Sequence, residues 1–242
     1  MICLADNLTE NKFKILSGSA LKMIAIITMI IDHAAAILYP VLDILLAPFN
    51  ILGKTFTLYW IMRKIGRLAF PIFCFLIAEG YRHTRNKKRY GLRLLLFAAI
   101  SEIPFNLLHS NNLLDPGSQN VFFTLFLGLL LIHIHESTHK QLIKFLAMAA
   151  VGVIATFLTV DYGLTGVLLV FIIYLFQNTP SVQALIAYPL LSGGFAAWAA
   201  FVPINLYNGK RGFIKSPLLK YTFYIFYPAH ILILVGIYYL LK

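Results

Sequence analysis

A chain of 242 residues with 60% hydrophobic and only 12% charged side chains, and a mean hydropathy of +0.82, departs from the roughly 25% charged make-up of a soluble domain. Twenty Lys and Arg against nine Asp and Glu give a net charge of +11, but the cations sit in short connections between apolar runs, the positive-inside pattern of a membrane protein rather than a nucleic-acid surface. The two cysteines, Cys3 and Cys74, stand far apart, and Cys74 lies inside an apolar run, which argues against a disulfide framework and a zinc site.

Apolar runs of about 17–25 residues read as spanning helices, and about eight follow one another: 21–42, 60–80, 90–108, 121–135, 142–160, 164–177, 182–203 and 221–241. No alternating barrel pattern, repeat or leftover soluble stretch is visible. The expectation is an all-α protein, a polytopic transmembrane helical bundle of about eight spans (about seven to ten), several kinked by proline, forming one domain over 1–242 in the lipid bilayer. The first run is longer than a signal-peptide core and lacks a cleavage site, so it reads as a retained span.

That first span carries Asp32 and His33 near its middle, where a charged side chain costs about 2.5–3.5 kcal/mol even on translocon scales. Function is therefore the preferred reading of His33, against a structural polar pair between helices. Low-dielectric surroundings favour the neutral ring, an available general base. Lys22 precedes His33 by eleven residues, placing both on one helical stripe roughly 16 Å apart. Asp32 is turned about 100° away and is free to pair with a basic residue elsewhere.

The second span opens with Arg63, Lys64 and Arg67, passes Pro71 as an expected kink, and ends in Glu79, Arg82 and Arg85. Glu79 and Arg82 can pair at three-residue spacing. Arg67, Arg82 and Arg85 are candidates for an anionic ligand, since guanidinium groups bind phosphate in a planar, bidentate manner; the bland alternative is a set of snorkelling anchors. The basic connection 82–93 should lie on the cytoplasmic side. Five spans then separate it from the basic stretch 209–220, which would leave the latter outside, so 182–203, with Pro189 and Gly193-Gly194, is the segment expected to be split or re-entrant.

In the third span Glu102 and Asn106 share a face around Pro104, with pairing of Glu102 to Arg67 or Arg93 as the structural alternative. His133, His135 and His139 read as interfacial, without zinc spacing. Asp161-Tyr162-Gly163 reads as an outer turn. The last span sets Tyr224, Tyr227 and His230 at spacings of three around Pro228; belt anchoring accounts for Tyr224 but not for His230.

The segments LKMIAIITMIIDH, GRLAFPIFCFLIAEGYRHTRN, LLFAAISEIPFN, NVFFTL and FYIFYPAHILIL resemble the TraX family over nearly the whole chain. More loosely, Lys22 with His33, and Arg82 with Arg85, are similar to motifs of the transmembrane acyltransferases of the acyltransferase three family. The resemblance implies a bacterial cytoplasmic membrane enzyme that takes acetyl-CoA from the cytoplasm and acetylates a peptide or glycan acceptor, the founding family activity being N-acetylation of conjugative pilin. On that footing Lys22, Arg67, Arg82 and Arg85 are expected to hold the donor, and His33 to be the base. Asp32, Glu102 or His230 would orient the base or the acceptor, and Glu79, Asn106 or Tyr227 would contact the substrate or the oxyanion. Neither cysteine has surroundings that mark a nucleophile, so direct transfer is preferred. No metal or nucleic acid is expected, and a homodimer stays open. The rivals are a proton-coupled transporter or flippase and a non-catalytic assembly protein.

Overall fold

A computed structural model describes residues 14–110, 112–214 and 216–242; Cys3, Asp6, Glu10, Lys12 and Lys215 lie outside the described residues. Eleven helices can be followed: α1 Gly18–Leu38, α2 Leu58–Gly66, α3 Ala69–His83, α4 Lys87–His109, α5 Val121–Ser137, α6 Gln141–Phe157, α7 Gly163–Leu175, α8 Pro180–Ala187, α9 Phe195–Trp198, α10 Phe201–Asn205 and α11 Pro217–Leu241. Three of them, α1, α4 and Tyr221–Leu241 of α11, are long and apolar enough to cross a membrane. The bundle is clad in exposed apolar side chains such as Phe145, Phe157 and Leu240, while Thr28, Asn106, Asn120, Thr124, Gln183 and His230 are buried. Apolar outside and polar within is the arrangement lipid selects.

Side-chain caps set several helix starts: Ser17 Oγ accepts the Ala20 N–H, Thr57 that of Trp60, Asn86 that of Arg89 and Asn120 that of Phe122. The first helix ends at Leu38 rather than reaching residue 42, because Pro40 has no N–H to donate and disfavours helical geometry at Tyr39. After it comes a two-stranded antiparallel hairpin, β1 Pro48–Ile51 with β2 Lys54–Thr57, which the helix-only expectation did not include. Leu52 and Gly53, at φ 51° and 76°, make its turn.

The expected second span is broken into α2 and α3. Pro71 falls in the first turn of α3, where a missing N–H costs little, and the chain passes Arg67 and Leu68 through tightened bonds from Arg67 N to Lys64 O (3.3 Å) and from Leu68 N to Ile65 O (3.2 Å). Pro104 and Pro228, by contrast, lie inside continuous helices.

The stretch 182–203 is no single span either. Gln183 Nε2 donates to Ile173 O (2.8 Å) where the segment enters, and Leu190, Leu191 and Gly193 pack beside Arg67 and Tyr162 at its tip. Trp198 Nε1 donates back to Ala184 O (3.0 Å), and Tyr207 returns to Glu79. Residues 180–205 thus form a re-entrant hairpin whose two ends share one side of the bundle. Leu16, Gly18 and Ser19 hydrogen-bond the backbone of residues 206–211, so Lys210 and Arg211 lie at the same end as the basic connection. With residues 180–205 folded back instead of crossing, the basic stretches 82–93 and 206–211 come to the same end of the bundle, as the positive-inside rule asks.

Candidate active site

A cavity of about 510 Å³ opens among α1, α3, α4, α5 and α11 and the Asp161-Tyr162 turn. At the basic end its wall includes Gly18, Lys22, Glu79, His83, Tyr207 and Arg211; at the other it includes Asp32, His33, Asp161, Tyr162 and Tyr227. Between them the lining is mainly apolar, with Phe73, Leu76, Ile77, Leu94 and Leu125 beside the Tyr90 and Tyr224 rings.

At the deep end α1 and α11 run side by side in the same direction, which brings together two histidines 197 residues apart. His33 Nδ1 and His230 Nε2 are 2.7 Å apart, with their rings coplanar to within 5°. His230 Nδ1 lies 2.8 Å from Phe226 O. A carbonyl only accepts, so His230 Nδ1 carries the proton and the neutral ring presents its Nε2 lone pair. His33 Nδ1–H then donates to it, leaving Nε2 as the lone-pair nitrogen of His33, the ring of the two that lines the cavity. The chain of bonds selects the tautomer a general base needs. Tyr227 is buried, meets both rings edge-on and also lines the cavity.

Asp32 finds its partner in Arg63, whose Nη1 lies 2.6 Å from Oδ2, while Oδ1 is buried without a hydrogen bond. Gly66 permits this: a Cβ there would run into the Asp32 side chain. Arg67 acts electrostatically on Asp32 and Asp161 but faces the small space beside Gly193 rather than the cavity.

The remaining expected site residues divide. Lys22 and Glu79 line the basic end of the cavity; Lys22 lies over the Phe223 ring (5.5 Å), and Glu79 accepts from Tyr207 Oη (3.0 Å) and His83 Nε2 (2.9 Å). Burial and the Glu79 carboxylate push the Tyr207 phenol well above its usual range, so it stays a donor. Arg82 is half-exposed, 3.8 Å from Glu79, and neither it nor the exposed Arg85 lines the cavity. Glu102 is engaged by Asn120, through its backbone N–H (3.0 Å) and its amide. Asn106 Nδ2 donates to Leu113 O (3.3 Å). Neither of these two lines the cavity: they tie α4 to the connections around it. Cys74 is fully buried and also away from the cavity wall.

Sequence reasoning passed over Arg63, Arg211, Asp161 and Tyr162. Asp161-Tyr162 is indeed a turn, but one that folds inward: the Asp161 backbone N–H donates to Gln119 O (2.7 Å), the Asp161 carbonyl accepts from Thr124 Oγ1, and Tyr162 stacks on Phe70 at 3.6 Å. Tyr162 sits at φ 63°, a left-handed conformation uncommon for a large side chain.

The TraX protein family matches residues 17–238. The chain belongs to the TraX family. It is 30% identical over 249 residues to the probable fimbrial assembly protein FimC, serogroup H1, of Dichelobacter nodosus, covering 90% of this chain and 94% of that protein. It is also 32% identical over 108 residues to an uncharacterized protein of Rickettsia prowazekii (strain Madrid E), covering 45% of this chain and 33% of that one. No solved structure matches. The TraX match takes in all the cavity-lining residues named above.

Proposed function

We propose that this TraX-family protein is a membrane-embedded acetyltransferase that moves an acetyl group from acetyl-CoA to an amine or hydroxyl acceptor, a pilin terminus or a sugar, in a bacterial cytoplasmic membrane. The observation that carries the reading is the Phe226–His230–His33 hydrogen-bond chain, which presents a neutral imidazole nitrogen at the deep end of a cavity open to the basic side. The relative named for fimbrial assembly favours an acceptor on a fimbrial component.

In this scheme the acyl arm of the donor lies along the apolar middle of the cavity with its thioester beside His33. The acceptor nucleophile attacks the carbonyl carbon as His33 Nε2 takes its proton. The tetrahedral intermediate collapses by breaking the C–S bond, and the imidazolium returns the proton to the leaving thiolate, so that acetylated acceptor and CoA are the products. His230 shares the charge on His33 through their common hydrogen bond. In this scheme the Tyr227 phenol donates to the oxyanion. Cys74, away from the cavity, offers no acyl-enzyme route, which favours direct transfer.

His33→Ala should lower acetyl transfer to purified pilin or glycan acceptors, in reconstituted vesicles, by about 10²–10⁴-fold, while thermal unfolding in detergent stays near the parent's. Transfer at the parental rate by that variant would overturn the assignment.

A further inference from the structure

The rim of the cavity carries a second inference, one that rests on the donor reading above and locates the donor's charged end. The residues 206–214 are latched to the start of α1. Leu16 and Asn208 exchange backbone bonds with their opposite segments, from Leu16 N to Leu206 O and from Asn208 N to Leu16 O, both at 2.9 Å. Gly18 N donates to Lys210 O (2.9 Å), and the Arg211 carbonyl accepts from Ser19 N (3.0 Å) and Ser19 Oγ (2.8 Å). Ser19 Oγ in turn accepts from Ile214 N at 2.9 Å. Gly212, at φ 85°, passes so close to Ser17 that any Cβ would collide with it. This latch fixes the backbone of Arg211 at the cavity rim.

Among the described residues, Lys22, Arg211 and the titratable His83 are the basic groups that line that rim. The carboxylate among those described there, Glu79, is occupied by Tyr207, His83 and, more distantly, Arg82. Inward from the rim the walls are mainly apolar, without a charged side chain among the described residues but with the Tyr90 and Tyr224 phenols, for the roughly 16 Å that eleven residues of α1 span between Lys22 and His33. A slender uncharged arm suits the passage, and a polyanionic head does not, because phosphates would lose their hydration there without charged partners. We propose that Lys22, His83 and Arg211 form a phosphate subsite that holds the nucleotide end of the thioester donor at the rim, with Arg211 the principal contact and Arg82 and Arg85 outside it. An arginine there meets phosphate oxygens bidentately.

The test is isothermal titration of detergent-purified full-length protein with three probes: CoA, adenosine 3′,5′-bisphosphate and pantetheine. The proteins compared are the parent, Arg211→Ala, Arg211→Lys and the Arg82→Ala/Arg85→Ala double variant, each checked by thermal unfolding. The expected result is CoA and bisphosphate binding at least tenfold weaker in Arg211→Ala, partly restored in Arg211→Lys, unchanged in the double variant, with pantetheine binding the same throughout. CoA binding unaffected by Arg211→Ala, or lost in the double variant alone, overturns the subsite while leaving the donor reading in place. A folded parent that binds none of the probes overturns the donor reading and the subsite with it.

Discussion

A single side chain in this protein acquires its chemistry from one far away in sequence. His33 lies on a long apolar helix, and its depth alone marks it, but the nitrogen it offers is decided by His230 and by the carbonyl of Phe226 behind it. Asp161 is the second case. Burial, partly offset by the Tyr162 N–H, His109 and Arg67 and reinforced by Asp32, pushes its carboxyl up to about 6. The folded state therefore holds a proton between about pH 4 and 6 that the unfolded chain has released, so stability falls as pH rises through that window and the cost persists above it. Asp161→Asn keeps the Oδ1 that accepts the Tyr162 N–H (3.0 Å) and removes the buried charge. Its thermal unfolding in detergent should show a gain of about 1–2 kcal/mol at pH 7.5, less than two full pK units would give because the cavity-facing carboxylate keeps some hydration. The gain should vanish near pH 4; an equal gain at both pH values would contradict the assignment.

At the scale of elements, helix breaks create the site. The interruption at Arg67 and Leu68 lets α2 lie against α1, so that Arg63 reaches Asp32 while α3 forms the cavity wall. Gly66 is a point of close approach, and its role is legible only in three dimensions: a methyl group there would overlap Asp32. Gly66→Ala should cost roughly 1–3 kcal/mol by overpacking, read as a lower unfolding midpoint in detergent, and should weaken the proposed acetyl transfer by disturbing the helix that bears His33. A parental midpoint would show that α1 and α2 are not packed this closely. Pro71 marked this region as irregular from sequence, but whether it bent the helix or started a new one depended on the packing around it.

For the whole molecule, the decisive feature is that residues 180–205 go in and come back. Arg85 and Asn208 then lie on one side of the membrane and Leu52, at the hairpin tip, on the other. Single cysteines at these three positions in a cysteine-free background, labelled with an impermeant maleimide in oriented vesicles, should report Arg85→Cys and Asn208→Cys from one side and Leu52→Cys from the opposite side. Labelling of positions 85 and 208 from opposite sides would mean that the segment crosses.

The membrane setting, the helical class and the family were legible in the chain, because lipid forces long apolar runs and makes each ionisable group within them conspicuous. His33, Asp32, Tyr227 and His230 could be picked out on those grounds. Which of them meet, and which cations reach the cavity, could not: a run of residues reveals the depth of a side chain but not the direction in which its helix faces. Glu102 and Asn106 satisfied every criterion of depth and spacing, yet they turn toward Asn120 and Leu113. Arg211 and Asp161 looked like loop residues and line the cavity. The sequence by itself determined what must be buried in the bilayer; the tertiary structure alone decided what each buried polar group would face, since helix packing sets those directions.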